Sequence, residues 1–467
     1  MGTLTAPAPE QVDREHRPHP TRAELLASGK RLRESCPRQS HAGWTPPPDR
    51  PDPLDLLQQS SEGRIPELIP VRYGRMMESP FAWYRGTALI MASDLSHTPA
   101  SGLRVQACGD AHLANFGAYG TPERRTVFDL NDFDETLPAP WEWDVKRLGA
   151  SFVLACRSNG FRDDPARDAV LACVRSYREH MADLSEMRAL EVWYADHDLD
   201  SLLTSVSDKE TLKRGQKRLT KARKRSLSPR AFPEWETGAE GLPSIKDNPP
   251  LIYHWKEHDE DELMAVARQA FAHYRSTLPE HLTVLLDRFE LMDMAIKVVG
   301  VGSVGTRCFI QLLMGGENDA LFLQVKEARP SVLEPYAGSG VHSNNGQRIV
   351  AGCRLMQAAS DLFLGWTQSG HGRDYYVRQL RDMKIKPLIE AFTPSFMLQY
   401  AAMCGRSLAN AHARSGSPAG ITGYLGKSDR FDEAIADFAT AYADQSERDH
   451  AALVKAVRTG QLEATQP

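Results

Sequence analysis

Apolar and polar positions change period several times along the chain, and each change predicts an element. Leu103–Cys108 reads as a short strand ending at Gly109, and Thr126–Leu130 as a second strand. From Trp143 to Asn159 apolar residues recur at helical spacing, with Gly160 placed to cap the end. Further helices are expected through Pro165–Asp198. At Ile296 the period shortens, and Ile296–Val301, Arg307–Leu313 and Leu321–Lys326 read as three successive strands, with Gly315–Asp319 turning between the last two. Helices return at Asn345–Phe363, Ser395–His412 and Phe431–Val457, with a strand at Tyr375–Leu380 between the first two. The chain has no internal repeat. Helices and strands in separate runs make an α+β protein.

Proline punctuates the start. Pro7, Pro9, Pro18, Pro20 and Pro46–Pro48 break long elements, so residues 1–50 read as a flexible tail holding at most a short helix at Arg22–Arg33. Residues 51–295 then carry the first motifs and a helical lobe, 296–390 a sheet lobe, and 391–467 the final helices. Phe81, Trp83 and Tyr84 look like packing anchors of the early part.

Composition narrows the function classes. With 467 residues, 41% hydrophobic, the chain can bury a sizeable core over two or three lobes. Its 56 basic and 61 acidic side chains leave a net charge of −5, which argues against a global nucleic-acid-binding or membrane-coating role. No run of about eighteen apolar residues predicts a transmembrane helix. The first twenty residues lack the apolar region of a secretory signal. Seven scattered cysteines without a Cys-x-x-Cys pair fit reduced thiols in a cytoplasmic protein. One basic run, Lys209–Arg230, reads as a solvated helical face or as a site for an acidic partner.

Two motifs carry chemistry. In Gly109-Asp110-Ala111-His112-Leu113-Ala114-Asn115, Asp110 and Asn115 stand five apart on one loop after a strand. Phosphoryl transfer needs a carboxylate to take the proton of the attacking hydroxyl, and an oxygen ligand for magnesium. The following stretch, Phe128–Glu135, holds Asp129, Asp132, Asp134 and Glu135 within seven residues. Such a run repels itself unless a cation neutralises it; the plain alternative is an exposed acidic turn.

The Gly-Asp-x-His-x-x-Asn core resembles the catalytic loop of aminoglycoside phosphotransferases and choline kinases, members of the protein-kinase-like superfamily. The resemblance implies Asp110 as base; His112 beside it is a second catalytic candidate. It also implies Asn115 as a metal ligand, joined by Asp129 or Asp132 on the next hairpin. The longer string, adding Trp141-Glu142-Trp143-Asp144, is similar to the bacterial family called domain of unknown function 2252, from about Pro53 to Asp449. Asp144 is read either as a support of the catalytic loop or, more simply, as an ion-pair partner of Lys146 and Arg147.

Gly300-Val301-Gly302-Ser303-Val304-Gly305 is a Gly-x-Gly-x-x-Gly string. A dinucleotide site requires a helix after it, whereas Arg307–Leu313 favours a strand. Strand, glycine loop, strand, turn and a lysine-bearing strand is how kinases cover ATP phosphates, which makes Gly300, Gly302, Ser303, Gly305 and Lys326 the nucleotide-binding candidates. An ordinary hairpin with a surface lysine is the alternative. Glu327 and Glu334 are the candidates to hold Lys326. The Asn345–Phe363 helix offers Gln347 and Arg348 but no Glu.

In kinases the glycine loop precedes the catalytic loop; here it follows by almost two hundred residues. Met403–His412 also resembles the helix that ordinarily leads into the catalytic loop. A circular permutation of a bilobal kinase-like fold accounts for both displacements. The expected function is an ATP- and magnesium-dependent phosphotransferase acting on a small molecule. The competing readings are a nucleotide-binding pseudokinase, and a metal-dependent hydrolase using His112 with Asp129, Asp132 and Asp134. Residues shaping the acceptor pocket should fall between Phe161 and Leu291, where no motif is readable.

Overall fold

A computed structural model describes residues 19–199, 213, 217, 220, 233–238, 241–254, 260–298, 300–380 and 383–465. Apart from Lys213, Lys217 and Thr220, the basic run 209–230 lies outside the described residues. The architecture is mixed α+β, a helical body beside a six-stranded antiparallel sheet. No described helix is long and apolar enough to cross a membrane.

The helical body forms around Trp141–Ser158, which is buried on every side from Trp141 to Cys156. A helix with no solvent face must be wrapped, and Asp163–Glu186, Pro394–Ser415 and Arg430–Arg458 wrap it. The tightest of these contacts joins Asp163–Glu186 to Pro394–Ser415. Gly405 permits it: a Cβ there would stand 2.0 Å from the Cys173 carbonyl oxygen. Trp141 stacks on Tyr177 with ring centroids 5.7 Å apart.

The sheet runs in the order Gly365–Gln368, Asp374–Gln379, Ala320–Ala328, Cys308–Met314, Glu290–Lys297, Ile252–Tyr253. Its register places Lys326 opposite Tyr376 on one side and Cys308 on the other. One sheet face closes over Tyr274, Leu278 and Leu286 in a second hydrophobic cluster. Two short ladders frame the motif loops. Arg104–Ala107 pairs with Leu137–Pro140, and Phe116–Gly120 with Thr126–Leu130.

Several expected boundaries move. The stretch read as a tail is built in from residue 19: Arg22–Arg31 is a helix capped by Thr21 and Glu24. It lies against Pro418–Leu425, and Arg33 Nε donates to the Tyr424 carbonyl at 2.8 Å. The first of the three expected strands is Glu290–Lys297, ending before the expected Ile296–Val301 is complete, because the chain turns through a 3-10 helix at Val301–Ser303. The helix expected to reach Phe363 stops at Met356, where Gln357 turns extended and the Ala358 N–H goes to Asp129. The helical stretch after Pro165 divides at Met187, which is extended at φ −79°, ψ 152°.

Candidate functional site

The loop after Ala107 is shaped by backbone. Gly109 sits at φ 81°, and a Cβ there would come within 2.4 Å of the Glu135 carbonyl oxygen. Only glycine allows this approach of the two motif loops. Asp144, at the start of the Trp141–Ser158 helix, accepts the Cys108 N–H at 2.6 Å and the Gly109 N–H at 2.9 Å. Its Oδ2 also lies 3.2 Å from His412 Nε2, whose ring is braced by the Tyr177 hydroxyl. The simpler expectation, an ion pair with Lys146 and Arg147, gives way to support of the loop. Lys146 donates instead to Thr98 and the Pro99 carbonyl, and Arg147 turns to Asp110.

Arg147 holds Asp110 from one side. Its Nε donates to Oδ1 at 2.7 Å and its second nitrogen reaches the same oxygen. Oδ2 has His112 Nε2 at 3.8 Å. Asn115 donates through Nδ2 to the Asp110 carbonyl at 2.8 Å, which locks the ends of the loop together. His112 is buried edge-on to Phe81, and burial pushes its pKa down to about 3 despite Asp110.

The acidic loop sends its carboxylates to different places. Asp129 points away from the cleft and accepts the N–H groups of Leu130 and Ala358 at 2.8 and 2.9 Å. Burial raises its pKa to about 6. Asp132 faces the cleft, with a buried Oδ1 that has no hydrogen-bond partner and lies 4.0 Å from Lys326 Nζ. Burial pushes the Asp132 carboxyl up, but the charges of Lys326, Arg378 and Lys384 outweigh it and hold it below its ordinary value. Asp134 binds Lys326 Nζ at 2.7 Å and accepts the Tyr376 hydroxyl at 2.7 Å. Glu135 accepts the Val332 N–H at 2.8 Å, and burial lifts its pKa to about 7.

Lys326 is only 4% exposed in mid-strand. Burial alone would lower its pKa; Asp134, Tyr376 and Asp132 together hold it well above the ordinary value. Neither expected partner takes it. Glu327 binds Arg307, and Glu334 accepts the Ser331 N–H. The true partner, Asp134, was hidden 192 residues upstream. Arg348 was also missed. From the Asn345–Met356 helix it donates to the carbonyls of Thr136, Asp134 and Arg329, fixing the acidic loop. Its signal was an arginine in an otherwise apolar helix face, with nothing to say what it met.

The glycine string lines the same cleft. A strand, Cys308–Met314, follows it, so the helix that a dinucleotide site requires is absent there. Gly300 precedes the 3-10 turn, and Ser303 Oγ lies 3.4 Å from Asp134 Oδ2. Ile65 N–H and Arg64 hold the Gly305 and Val304 carbonyls. Asp110, His112, Asn115, Asp132, Asp134, Gly300, Gly302, Ser303 and Lys326 thus border one cavity of about 2000 Å³; Asp129 and Gly305 do not. The set His112, Asp129, Asp132 and Asp134 is therefore not gathered. Among the described residues no group of three or more His, Cys, Asp or Glu is placed to hold a metal ion.

The Pro394–Ser415 helix reaches this site. Tyr400 donates to the Leu113 carbonyl at 2.8 Å, Ser415 Oγ accepts the Gln106 N–H at 2.9 Å, and His412 meets Asp144. Met403–His412 and the loop after Val105 are neighbours across some three hundred residues.

These features define a mixed α+β protein with a charged cleft between a helical body and an antiparallel sheet. The sequence model of a bacterial family, domain of unknown function 2252, described as an uncharacterized protein conserved in bacteria, matches residues 64–456, and the chain belongs to that family. No curated protein and no solved structure matches it.

Proposed function

We propose that the chain is an ATP- and magnesium-dependent phosphotransferase acting on a small molecule. The observation that carries the reading is the meeting of Lys326 and Asp132 at 4.0 Å in the cavity that Asp110 and Gly300–Ser303 also border. Sheet lysine, glycine turn and a carboxylate loop are the parts that phosphoryl transfer requires, and here they converge from segments far apart in the sequence.

A divalent cation fits the donor set. Asp132 offers a buried oxygen without a hydrogen-bond partner, and Asn115, with its nitrogen spent on Asp110, offers its side-chain oxygen from the same cleft. Two protein oxygens suit magnesium, which takes the rest of its shell from water and phosphate. When bound, it would neutralise phosphate charge. Lys326 would balance the α and β phosphates, and the backbone at Gly300–Ser303 would approach them. Asp110, oriented by Arg147, would accept the acceptor's hydroxyl proton on Oδ2. The acceptor oxygen forms a bond to the γ-phosphorus as the bond to the β-phosphate oxygen breaks, and ADP leaves.

The long-range contact of Pro394–Ser415 with the loop supports the permuted bilobal arrangement. The helix braces the loop from below while the sheet covers the cleft from above. ATP-dependent transfer screened over a metabolite library with magnesium tests the reading. Asp110→Asn should abolish turnover and leave ATP affinity nearly intact, because a base acts mainly in the transition state. A wild-type chain that binds no ATP, or an Asp110→Asn variant with full activity, refutes it. A pseudokinase would bind ATP and transfer nothing.

A further inference from the structure

Besides the groups already used, the cleft holds a second cationic wall. Arg85 ends the short Pro80–Arg85 helix and lines the cavity together with Asp110 and His112. Its guanidinium lies 5.9 Å from the centre of the Phe81 ring. Its Nε is buried and has no hydrogen-bond partner. A buried N–H left unpaired is costly, more so on a charged group, and such a group in a cavity wall calls for a ligand. Lys386 lines the same cavity, near enough to Arg85 that their charges oppose each other. The carboxylates facing Arg85 are Asp110, Glu78, Asp132 and Glu390. Asp110 is already taken by Arg147, and Glu78 and Glu390 are exposed to solvent.

Size points the same way. About 2000 Å³ is well above the roughly 300–1,000 Å³ of a usual single-ligand site. The cavity has room for a second molecule beside a nucleotide. Arg85 also fixes which side that molecule occupies. Its carbonyl would be 3.3 Å from a Cβ on Gly302, so the Pro80–Arg85 helix end packs against the glycine turn, and Asp110 is the carboxylate whose charge acts on Arg85 most strongly.

We propose that Arg85, with Lys386, forms an anion subsite that binds a carboxylate or phosphate group of the molecule presented to Asp110. Calling that molecule the acceptor rests on the phosphotransferase reading; the anion subsite itself does not. The acceptor class is then an anionic hydroxyl compound, oriented by its charged end while its hydroxyl faces Asp110. A guanidinium suits this task because its planar fork matches either anion.

Equilibrium dialysis of the full chain with inorganic phosphate, acetate and ATP, each alone, tests the proposal. Wild type should bind phosphate or acetate, and the preferred anion assigns the group. Arg85→Met should weaken that binding about tenfold or more, the scale of one lost charge-assisted contact, with ATP binding changed far less. Lys386→Gln should weaken the same anion in the same direction. Lys326→Ala should do the reverse, weakening ATP and sparing the anion. Equal loss of ATP and phosphate in Arg85→Met would overturn the proposal, since the guanidinium would then serve the nucleotide. So would a wild type that binds neither small anion, or anion binding lost only in Lys326→Ala. Anion binding at Arg85 in a chain that binds no ATP would remove the phosphotransferase reading and leave the subsite standing.

Discussion

Replacing Asp144 separates a loop-supporting role from a simple surface charge. Asp144 is 1% exposed and accepts the N–H groups of Cys108 and Gly109, both themselves buried. Asp144→Ala deletes both acceptors and admits no obvious replacement, since the loop is closed beneath by His412. Hydrogen bonds to a charged group contribute roughly 1.5–3 kcal/mol each, so two give a loss of about 3–6 kcal/mol. That is a large part of an ordinary folding stability of about 5–15 kcal/mol, yet it leaves a folded chain to measure. Asp144→Asn keeps one acceptor oxygen and turns an NH₂ toward the other N–H, so it should lose about half as much. Urea unfolding gives the difference from the midpoint at unchanged slope. Hydrogen exchange then locates it: Cys108 and Gly109 amides should lose more protection than the Asp163–Glu186 helix. A loss below about 1 kcal/mol for Asp144→Ala, or equal losses for Ala and Asn, would refute the argument.

Three other outcomes follow from the same geometry. Asp129 has its pKa raised by burial to about 6 in the folded chain against 3.8 unfolded, so its contribution is most favourable at low pH and is lost as pH rises through 6. Between pH 5 and 7.5 the stability of Asp129→Asn should therefore gain on wild type by about 1–1.5 kcal/mol in urea unfolding; a gain in the opposite direction contradicts the burial. Lys326→Met strands Asp134, whose side chain is 26% exposed, so the thermal stability loss should be about 1–3 kcal/mol, below the figure for a wholly buried pair, and Asp134→Asn added to it should restore part. Arg348→Ala removes three carbonyl partners at 3% exposure and should cost about 3 kcal/mol in urea unfolding, with increased exchange at residues 134–136; unchanged exchange there would place the latch elsewhere.

Local periodicity made most of the elements legible. Thr126–Leu130 is strand as expected, and the helices at 141–158, 394–415 and 430–458 lie within two or three residues of the sequence reading. The errors sit where tertiary contacts overrule local preference. The Arg22–Arg31 helix was expected, but as part of a flexible tail, because its own apolar content is low. It is held by close approach: a Cβ on Gly29 would stand 1.9 Å from the Gly420 carbonyl oxygen. The Asn345–Met356 helix ended early because Asp129, more than two hundred residues away, takes the Ala358 N–H. No window of sequence contains both groups.

The acidic loop shows the same limit at the site itself. Four carboxylates in seven residues looked like one feature, either a magnesium site or a solvated turn, and spacing alone could not divide them. In the fold they part company, and only Asp132 and Asp134 share a cation, Lys326. Asp129 takes backbone N–H groups, Asp134 takes Lys326 and Tyr376, Glu135 takes the Val332 N–H, and Asp132 keeps a buried oxygen unpaired at the cleft. Dispersal is what lets the run exist, since like charges this close are tolerated only when partners or cations nearby offset them. It also explains why Lys326 needs no helix glutamate. The loop that supplies an oxygen to the cleft supplies the lysine's counter-charge two residues later, so one segment sets both the acidic and the basic side of the site. Arg348 then becomes necessary, because a loop with two such duties must be fixed by its backbone, leaving its side chains free to face the cleft.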